Sequence, residues 1–439
     1  MDTRTDGLTI ARSIHDIPAN HWQALYDPCA GGYPFLDRRF LAALEDSDCI
    51  GTQPGHPSGW EVHYLVSSGA VSGGAVSSGT VNSGAVNSGA VNSGAVNSGA
   101  VNSGAVNSGA VNSGAVNSGA VNSGAVPHTI IPCYIKTHSY GEYVFDWQWA
   151  EAYEKYGLNY YPKLLWAVPF TPATGPRLLS IKTRPGDWFD ALSEHCLTQG
   201  LSGWHLNFPN PNAIAGEPVQ PAPALRSGCQ FHWHNRQYSS FDDYLNHFVS
   251  RKRKSLKKER QKIAGQGLTL TRKTGNDISE ADIRQFFQCY LNTYRSRRSY
   301  PYLNEAFFQQ LRASMAEKML LVSASYKGSP VASALFFFDE STLYGRYWGC
   351  LDEFDALHFE ACYYQGIEFC IERKLQRFDP GTQGEHKIAR GFEPVSTVSL
   401  HWLAHPGFHQ AVKEFVQEEA AHMQRYQQEA ASLLPFHRE

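Results

Sequence analysis

Valine recurs at every fifth position from Val66 to Val126, and from Val81 onward the unit settles into Val-Asn-Ser-Gly-Ala. A period of five suits neither regular structure. In a strand it flips the valine to the opposite face at each unit, and in a helix it rotates the valine by about 140° per unit. Glycine and serine raise the entropy cost of ordering further. Residues 66–125 therefore read as a flexible or loosely ordered low-complexity insert. A pentapeptide β-solenoid is the alternative, but it needs a large apolar residue at the centre of each unit, and here only valine and alanine are offered. The flanks indicate where the insert sits. Trp60-Glu-Val-His-Tyr-Leu-Val66 alternates like a strand, and Val126-Pro-His-Thr-Ile-Ile-Pro-Cys-Tyr-Ile135 reads as its partner. The repeat occupies the turn of a hairpin, where the closure cost of a long loop grows only logarithmically.

The remainder of the 439-residue chain carries all the charge and all nine cysteines, and it is long enough for two cores. A net charge of −3 gives no global argument for nucleic acid or an acidic membrane. The first residues, MDTRTDGLTIARSIHDIP, lack the apolar run of a signal peptide, and no stretch is long enough to span a bilayer. The cysteines are odd in number and form no CxxC pair, against a disulfide framework or a zinc knuckle. A cytoplasmic protein with free thiols is the expectation.

Helical and strand patterns alternate along the chain, which predicts an α/β class with mixed sheets. Asp187–Gln199 reads as a helix stopped by Gly200. Tyr160–Val168 looks helical, and Phe241–Ala264 reads as one long helix. Met319–Tyr326 and Pro330–Phe338 form a hairpin across Lys327-Gly328. Ala356–Lys374 is a helix that leads into a strand at Gln376–Asp379. This divides the chain into residues 1–240, interrupted by the insert, then 241–407, and a C-terminal helix at 408–439.

Four constellations could carry chemistry. The first is the basic run Arg251, Lys252, Arg253 and Lys254, continuing to Arg260, which could hold phosphates of a donor or of RNA, or form a solvated helix face. The second joins Tyr347, on a strand, to Glu360 on the helix that follows it. Glu360 shares a helix face with Tyr364, Ile367 and Ile371, so it is either held for a substrate or bonded structurally. His358, in the same first turn, reads as a surface histidine. The third is the glycine-rich loop Phe378–Phe392, with Asp379, Glu385, His386, Lys387 and Arg390, an unusual density of ionisable groups at a strand end. The fourth is Lys136–Trp147, where His138, Tyr140 and Glu142 alternate and would share one side of an extended chain. GxSxG, Walker, dinucleotide and HExxH motifs are absent.

The basic helix, Ser341–Trp348, Leu357–Lys374 and the motif Gly384-Glu-His-Lys387 with Arg390-Gly-Phe392 resemble the second half of FemAB-like acyltransferases of the GNAT superfamily. Pro34-Phe-Leu36, His138–Trp147 and Val168-Pro-Phe-Thr-Pro172 are similar to a bacterial subfamily described as N-acyltransferases or peptidoglycan biosynthesis/recognition proteins. The resemblance implies tandem GNAT-like domains and direct transfer of an acyl or aminoacyl group to an amine, with an acyl donor and an amine acceptor as partners. It points to Glu360, Asp379 and Glu385 for base or amine recognition, Tyr347 for leaving-group protonation, and Lys387, Arg390 and the basic helix for donor anions. His386, His138, Tyr140 and Glu142 would line substrate. The sequence departs from acetyl-CoA-dependent members where Leu357-His-Phe-Glu-Ala-Cys-Tyr-Tyr-Gln-Gly366 replaces a glycine-rich pyrophosphate loop. That leaves aminoacyl-tRNA or another acyl donor, with no firm cofactor. The alternative is a non-catalytic binding protein on the same fold that recognises a cell-envelope precursor or RNA.

Overall fold

The computed structural model describes residues 8–67, 127–214, 222–382 and 384–437. The repeat lies outside these residues, as does the expectation that it is flexible. Its flanks do pair as a hairpin. Ser67 faces Thr129, Val66 faces Ile130 and Leu65 faces Ile131, while Trp60, Glu61 and Val62 face Lys136, Ile135 and Tyr134. The two halves of the hairpin enter different sheets, changing over at His63, whose N–H donates to Cys133 O at 2.9 Å.

The chain forms two compact units, both α/β. The first comprises Met1–Gly31, Phe35–Arg226 and Val398–Glu418, and the second comprises Gly32–Pro34, Ser227–Thr397 and Glu419–Glu439. The sequence reading places a boundary at 240. In the structure the division falls at Arg226, because Trp233 and His234 already pair with Phe378 and Arg377 of the second unit. The C-terminal helix, Pro406–Ser432, is divided rather than separate.

In the first unit, strands Trp60–Val62, Cys133–Lys136, Lys163–Trp166, Gly203–Asn207 and the end of Glu393–Leu403 lie side by side. Lys163–Trp166 and Gly203–Asn207 are parallel, joined through helix Phe189–Gln199. Gly200 ends that helix in left-handed backbone (φ 66°), as its sequence requires. The expected helix at 160–168 is instead a strand. Lys163, Leu164, Leu165 and Trp166 are all buried, so both faces are covered and no alternation signals a strand.

In the second unit, strands run in the order Leu268–Thr274, Met319–Tyr326, Ser329–Phe338, Thr342–Cys350, Arg377–Asp379 and Ala224–His234. The expected long helix at 241–264 is broken into Phe241–Asn246 and Ser250–Gly265. Phe248 drops into the core against Phe436, and Val249 N–H leaves the helix ladder for Pro435 O at 2.9 Å.

The register of the hairpin makes a test. Replacing residues 68–126 by a short turn should leave the Ser67–Thr129 pairing intact and should not lower the melting temperature, since shortening a loop reduces its closure entropy by about 0.6 kcal/mol per halving. Loss of soluble protein on that deletion would show the insert to be a required part of the fold.

Candidate functional site

Strand Thr342–Cys350 pairs in parallel with Arg377–Asp379 over three residues only, ending at Tyr344 opposite Asp379. Two features part the strands there. Leu335 faces Tyr347 while Phe336 faces Gly345, so Arg346 is an extra, bulged residue that bends the strand. Pro380 follows Asp379 and has no N–H to continue the ladder. Gly345 lets the strands approach before they part, because a Cβ there would sit 3.2 Å from Pro380 Cα.

The glycine-rich loop turns back over this opening. Gly381 N–H donates to Asp379 Oδ1 at 2.9 Å, and Lys387 Nζ donates to Gly381 O. Lys387 and Asp379 are both buried. Burial lowers the Lys387 ammonium to about 8, opposed by the Asp379 carboxylate. His232 Nε2 lies 3.6 Å from Asp379 Oδ1, and burial holds its imidazole at about 4 against the pull of that carboxylate. His386 is exposed, with Nε2 2.8 Å from Tyr363 Oη. Gly384 must be glycine, since a Cβ would overlap the His386 ring.

His358, expected at the surface, is only partly exposed. Its ring packs against Trp348 (5.3 Å), Tyr363 (5.4 Å) and His386 (6.0 Å). Burial first, then the neighbouring His386, Arg390, Lys387 and Arg297, lower it to about 4, so it is neutral near pH 7. Asp379, His386 and Lys387 thus gather with His358, and with Tyr363 and His232, which the sequence does not single out because a helix and a distant strand bring them in.

Other candidates have structural partners. Arg260 grips Glu360 with two bonds, Nε to Oε2 at 3.0 Å and Nη2 to Oε1 at 2.8 Å, and reaches Glu368 at 2.5 Å. Glu360 is buried in that clamp, at the start of a π-helical segment, Glu360–Tyr364. Arg390 binds Glu259 at 2.8 Å and His386 O at 2.7 Å, and its guanidinium lies 3.4 Å from the Phe359 ring centre. It fixes the loop rather than facing outward. Tyr347 packs against Tyr290 (5.7 Å) and Phe308 (5.3 Å), on the sheet face opposite Trp348. Glu385 is exposed and accepts from Tyr426 Oη at 2.9 Å. Within the basic run, Arg251, Lys252 and Lys254 are exposed, and Arg253 is partly so and reaches Asn246 Oδ1 at 3.5 Å. The partnered residues of that helix, Glu259 and Arg260, were hidden in a charge run whose pattern reads as a solvated face.

The fourth constellation lies in the first unit and is not an extended strand. Gly141, Tyr143 and Phe145 take left-handed backbone, so the chain turns after Lys136. His138 is partly exposed, Tyr140 is exposed and Glu142 is buried, and the three do not share one side. Glu142 Oε2 and Asp146 Oδ2 instead hold Lys163 Nζ at 2.9 and 2.5 Å in the interior.

The family model for FemAB-like proteins, described as peptidoglycan biosynthesis/recognition, matches residues 115–438, and one for pentapeptide repeats matches 87–128. No curated protein matches the chain in sequence. Among solved structures, similarity is found to L-PGS from Bacillus licheniformis, at 12% identity over 50% of this chain and 73% of that one, with a TM-score of 0.36. It is found also to FemX, at 11% identity over 65% and 87% with a TM-score of 0.33. A tandem GNAT protein from the clavulanic acid biosynthesis pathway matches at 11% over 54% and 76%, with a TM-score of 0.30. Among the described residues, no helix is long and apolar enough to cross a membrane.

Two measurements probe this arrangement. Arg260→Ala strands the Glu360 carboxylate and should destabilise the protein by about 3 kcal/mol in urea unfolding. Lys387 has a folded value below its unfolded one, so the unfolded chain binds the extra proton and stability rises between about pH 8 and 10. Lys387→Met should flatten that part of the stability profile relative to wild type.

Proposed function

Because the chain belongs to the FemAB-like family of peptidoglycan biosynthesis/recognition proteins, we propose that its second unit transfers an acyl or aminoacyl group directly to an amine, as GNAT-type N-acyltransferases do. The observation that carries this reading is the parted parallel strand pair with Lys387 and Asp379 buried at its opening and His386 exposed beside them. An opening of this kind admits an extended acyl chain between strand edges. A general base, a general acid and a polar surround are what direct aminolysis requires.

In this scheme the acceptor amine attacks the donor carbonyl and the carbon–nitrogen bond forms. His386, whose pKa is lowered by partial loss of hydration and then by Lys387 and Arg390, is neutral and takes the proton lost by the amine. Lys387, at about 8, gives a proton to the leaving oxygen or sulfur as the carbonyl bond to it breaks. Asp379 holds charge opposite Lys387. Tyr347 is not needed for protonation, and Glu360 is not needed as base.

The start of the helix after the bulged strand bears on the donor. Ala356 precedes it in left-handed backbone (φ 65°), and the His358 ring lies against Trp348 where a diphosphate would need bare N–H groups. This favours an aminoacyl ester, such as aminoacyl-tRNA, over acyl-CoA. Arg251, Lys252 and Lys254 would meet its phosphates. The acceptor class is an amine on a peptidoglycan precursor.

The test incubates the protein with charged tRNA or acyl-CoA and an amine-bearing precursor peptide, and reads new amide by mass spectrometry. Product should form with wild type and fall by about 100-fold or more with Lys387→Met. With tRNA, changing Arg251, Lys252 and Lys254 to Ala should reduce the salt slope of binding by about 3. Precursor that binds but is never acylated by either donor would overturn the transferase reading in favour of recognition without turnover.

A further inference from the structure

The basic run Arg251–Lys254 carries no aromatic residue. A second basic segment does: Tyr294-Arg-Ser-Arg-Arg-Ser-Tyr-Pro-Tyr302 holds three arginines and three tyrosines within nine residues. It closes helix Glu280–Ser296 of the second unit. The acids of that helix, Glu280 and Asp282, lie in its first turn, and no further carboxylate occurs along the chain before Glu305. Arg295, Arg297 and Arg298 are exposed, and among the described residues none of the three has a carboxylate partner. By contrast, Arg236, Arg272 and Arg312 of the same unit each hold a glutamate. The Tyr300 ring that follows the arginines is 90% exposed.

Cations at a helix C-terminus meet the negative end of the helix dipole, which accounts for Arg295. It does not account for Arg298. Ser299 N–H donates to Tyr294 O at 3.0 Å and Arg298 N–H to Arg295 O at 3.1 Å, the paired bonds that close a helix around a left-handed residue. Arg298 is that residue, with φ 52°. Glycine takes this position without steric penalty, whereas an arginine strains the backbone there. Nor does the dipole account for a tyrosine ring left in water. Pro301 disfavours helical backbone at Tyr300, which stays outside the row in which Tyr302 packs on Tyr294 (6.2 Å) and Tyr294 on Tyr290 (5.0 Å).

The segment sits beside the opening of the parted strands. One turn before Arg297, Thr293 Oγ1 donates to Trp348 O at 3.0 Å, and Asn292 Nδ2 donates to Cys350 O at 2.7 Å. The His358 ring packs on Trp348 at 5.3 Å. The Arg297 charge reaches His358 together with those of Lys387 and Arg390.

Guanidinium groups bind phosphate with paired hydrogen bonds, and an exposed aromatic ring stacks on a base. Together they specify a phosphate-bearing strand whose bases are unpaired, because a duplex hides its base faces. A compact diphosphate fits less well, since Arg295 and Arg297 leave the helix about 200° apart and do not close on one group. We propose that Arg295–Tyr300 binds the single-stranded end of an RNA, with Tyr300 stacked on a base and the arginines on successive phosphates. The inference deepens the donor reading above and rests on it for the choice of RNA. It brings the end of that strand next to His386 and Lys387, and the binding is measurable without any transfer.

The experiment is fluorescence anisotropy of the full chain with a labelled single-stranded RNA of about ten nucleotides. Wild type should bind the strand about tenfold tighter than the same sequence in a duplex. Tyr300→Ala should weaken strand binding about tenfold with its salt dependence unchanged, and Tyr300→Trp should restore it. Changing Arg295, Arg297 and Arg298 together to Gln should lower the salt slope by about 2. Arg298→Gly should weaken binding while the melting temperature stays equal or rises, since glycine relieves the strain. All of these side chains are exposed, so the variants keep the fold. Equal affinity for strand and duplex would overturn the site. So would competition by coenzyme A or polyglutamate as strong as by unlabelled strand, or binding unchanged in Tyr300→Ala and the triple variant. The amide assay separates the two readings. Amide formed from charged tRNA, with strand binding indifferent to these residues, sinks this site alone. Strand binding that needs them, without amide from any donor, sinks the transferase reading alone.

Discussion

Glu259 and Arg260 are neighbours on one helix, yet they grip different elements. Arg260 closes on Glu360 at the head of the helix that follows the bulged strand, and Glu259 closes on Arg390 at the end of the glycine-rich loop. Tyr364 joins them, with its hydroxyl bonded to both Glu259 and Arg390. A charge taken from water must be met by an opposite charge in good geometry, or it costs several kcal/mol. The two pairs therefore hold helix and loop in a fixed relation. That relation sets His386 and Lys387 beside His358 and Tyr363. Charges that look catalytic in isolation act here as braces for the loop that carries His386 and Lys387.

The first unit obeys the same constraint with a different outcome. Lys163 has all three donors satisfied. Burial alone would lower its pKa, but the Asp146 and Glu142 carboxylates raise it above its ordinary value. Around that pair the accounting does not close, since each carboxylate keeps one unbonded buried oxygen.

Both units also use one connection: a strand, a helix, and a second strand that pairs in parallel with the first for three residues. Parallel pairing demands such a crossover, and polar groups at the carboxyl ends of the strands are placed to meet ligands. In the second unit a bulge and a proline widen the opening at that end. In the first, strand Gly203–Asn207 ends on Asn207, whose backbone oxygen accepts from Arg177 Nε at 2.8 Å.

The sequence by itself determined the α/β class, the hairpin that brackets the repeat, the Gly200 stop and the density of ionisable groups between Phe378 and Phe392. These are local matters of periodicity, turn chemistry and loop entropy, which depend on neighbours along the chain. It misread Lys163–Trp166 as helix because a strand covered on both faces has no alternation to display. It also read Arg260 and Glu360 as separate candidates, one for phosphate and one for a base. Only the tertiary structure could decide that they neutralise each other across 100 residues, that Tyr347 turns to the far face of the sheet, and that His358 is enclosed by aromatic rings. A charged side chain acquires its role from the partner that folding brings to it, and spacing along the chain carries no record of that partner.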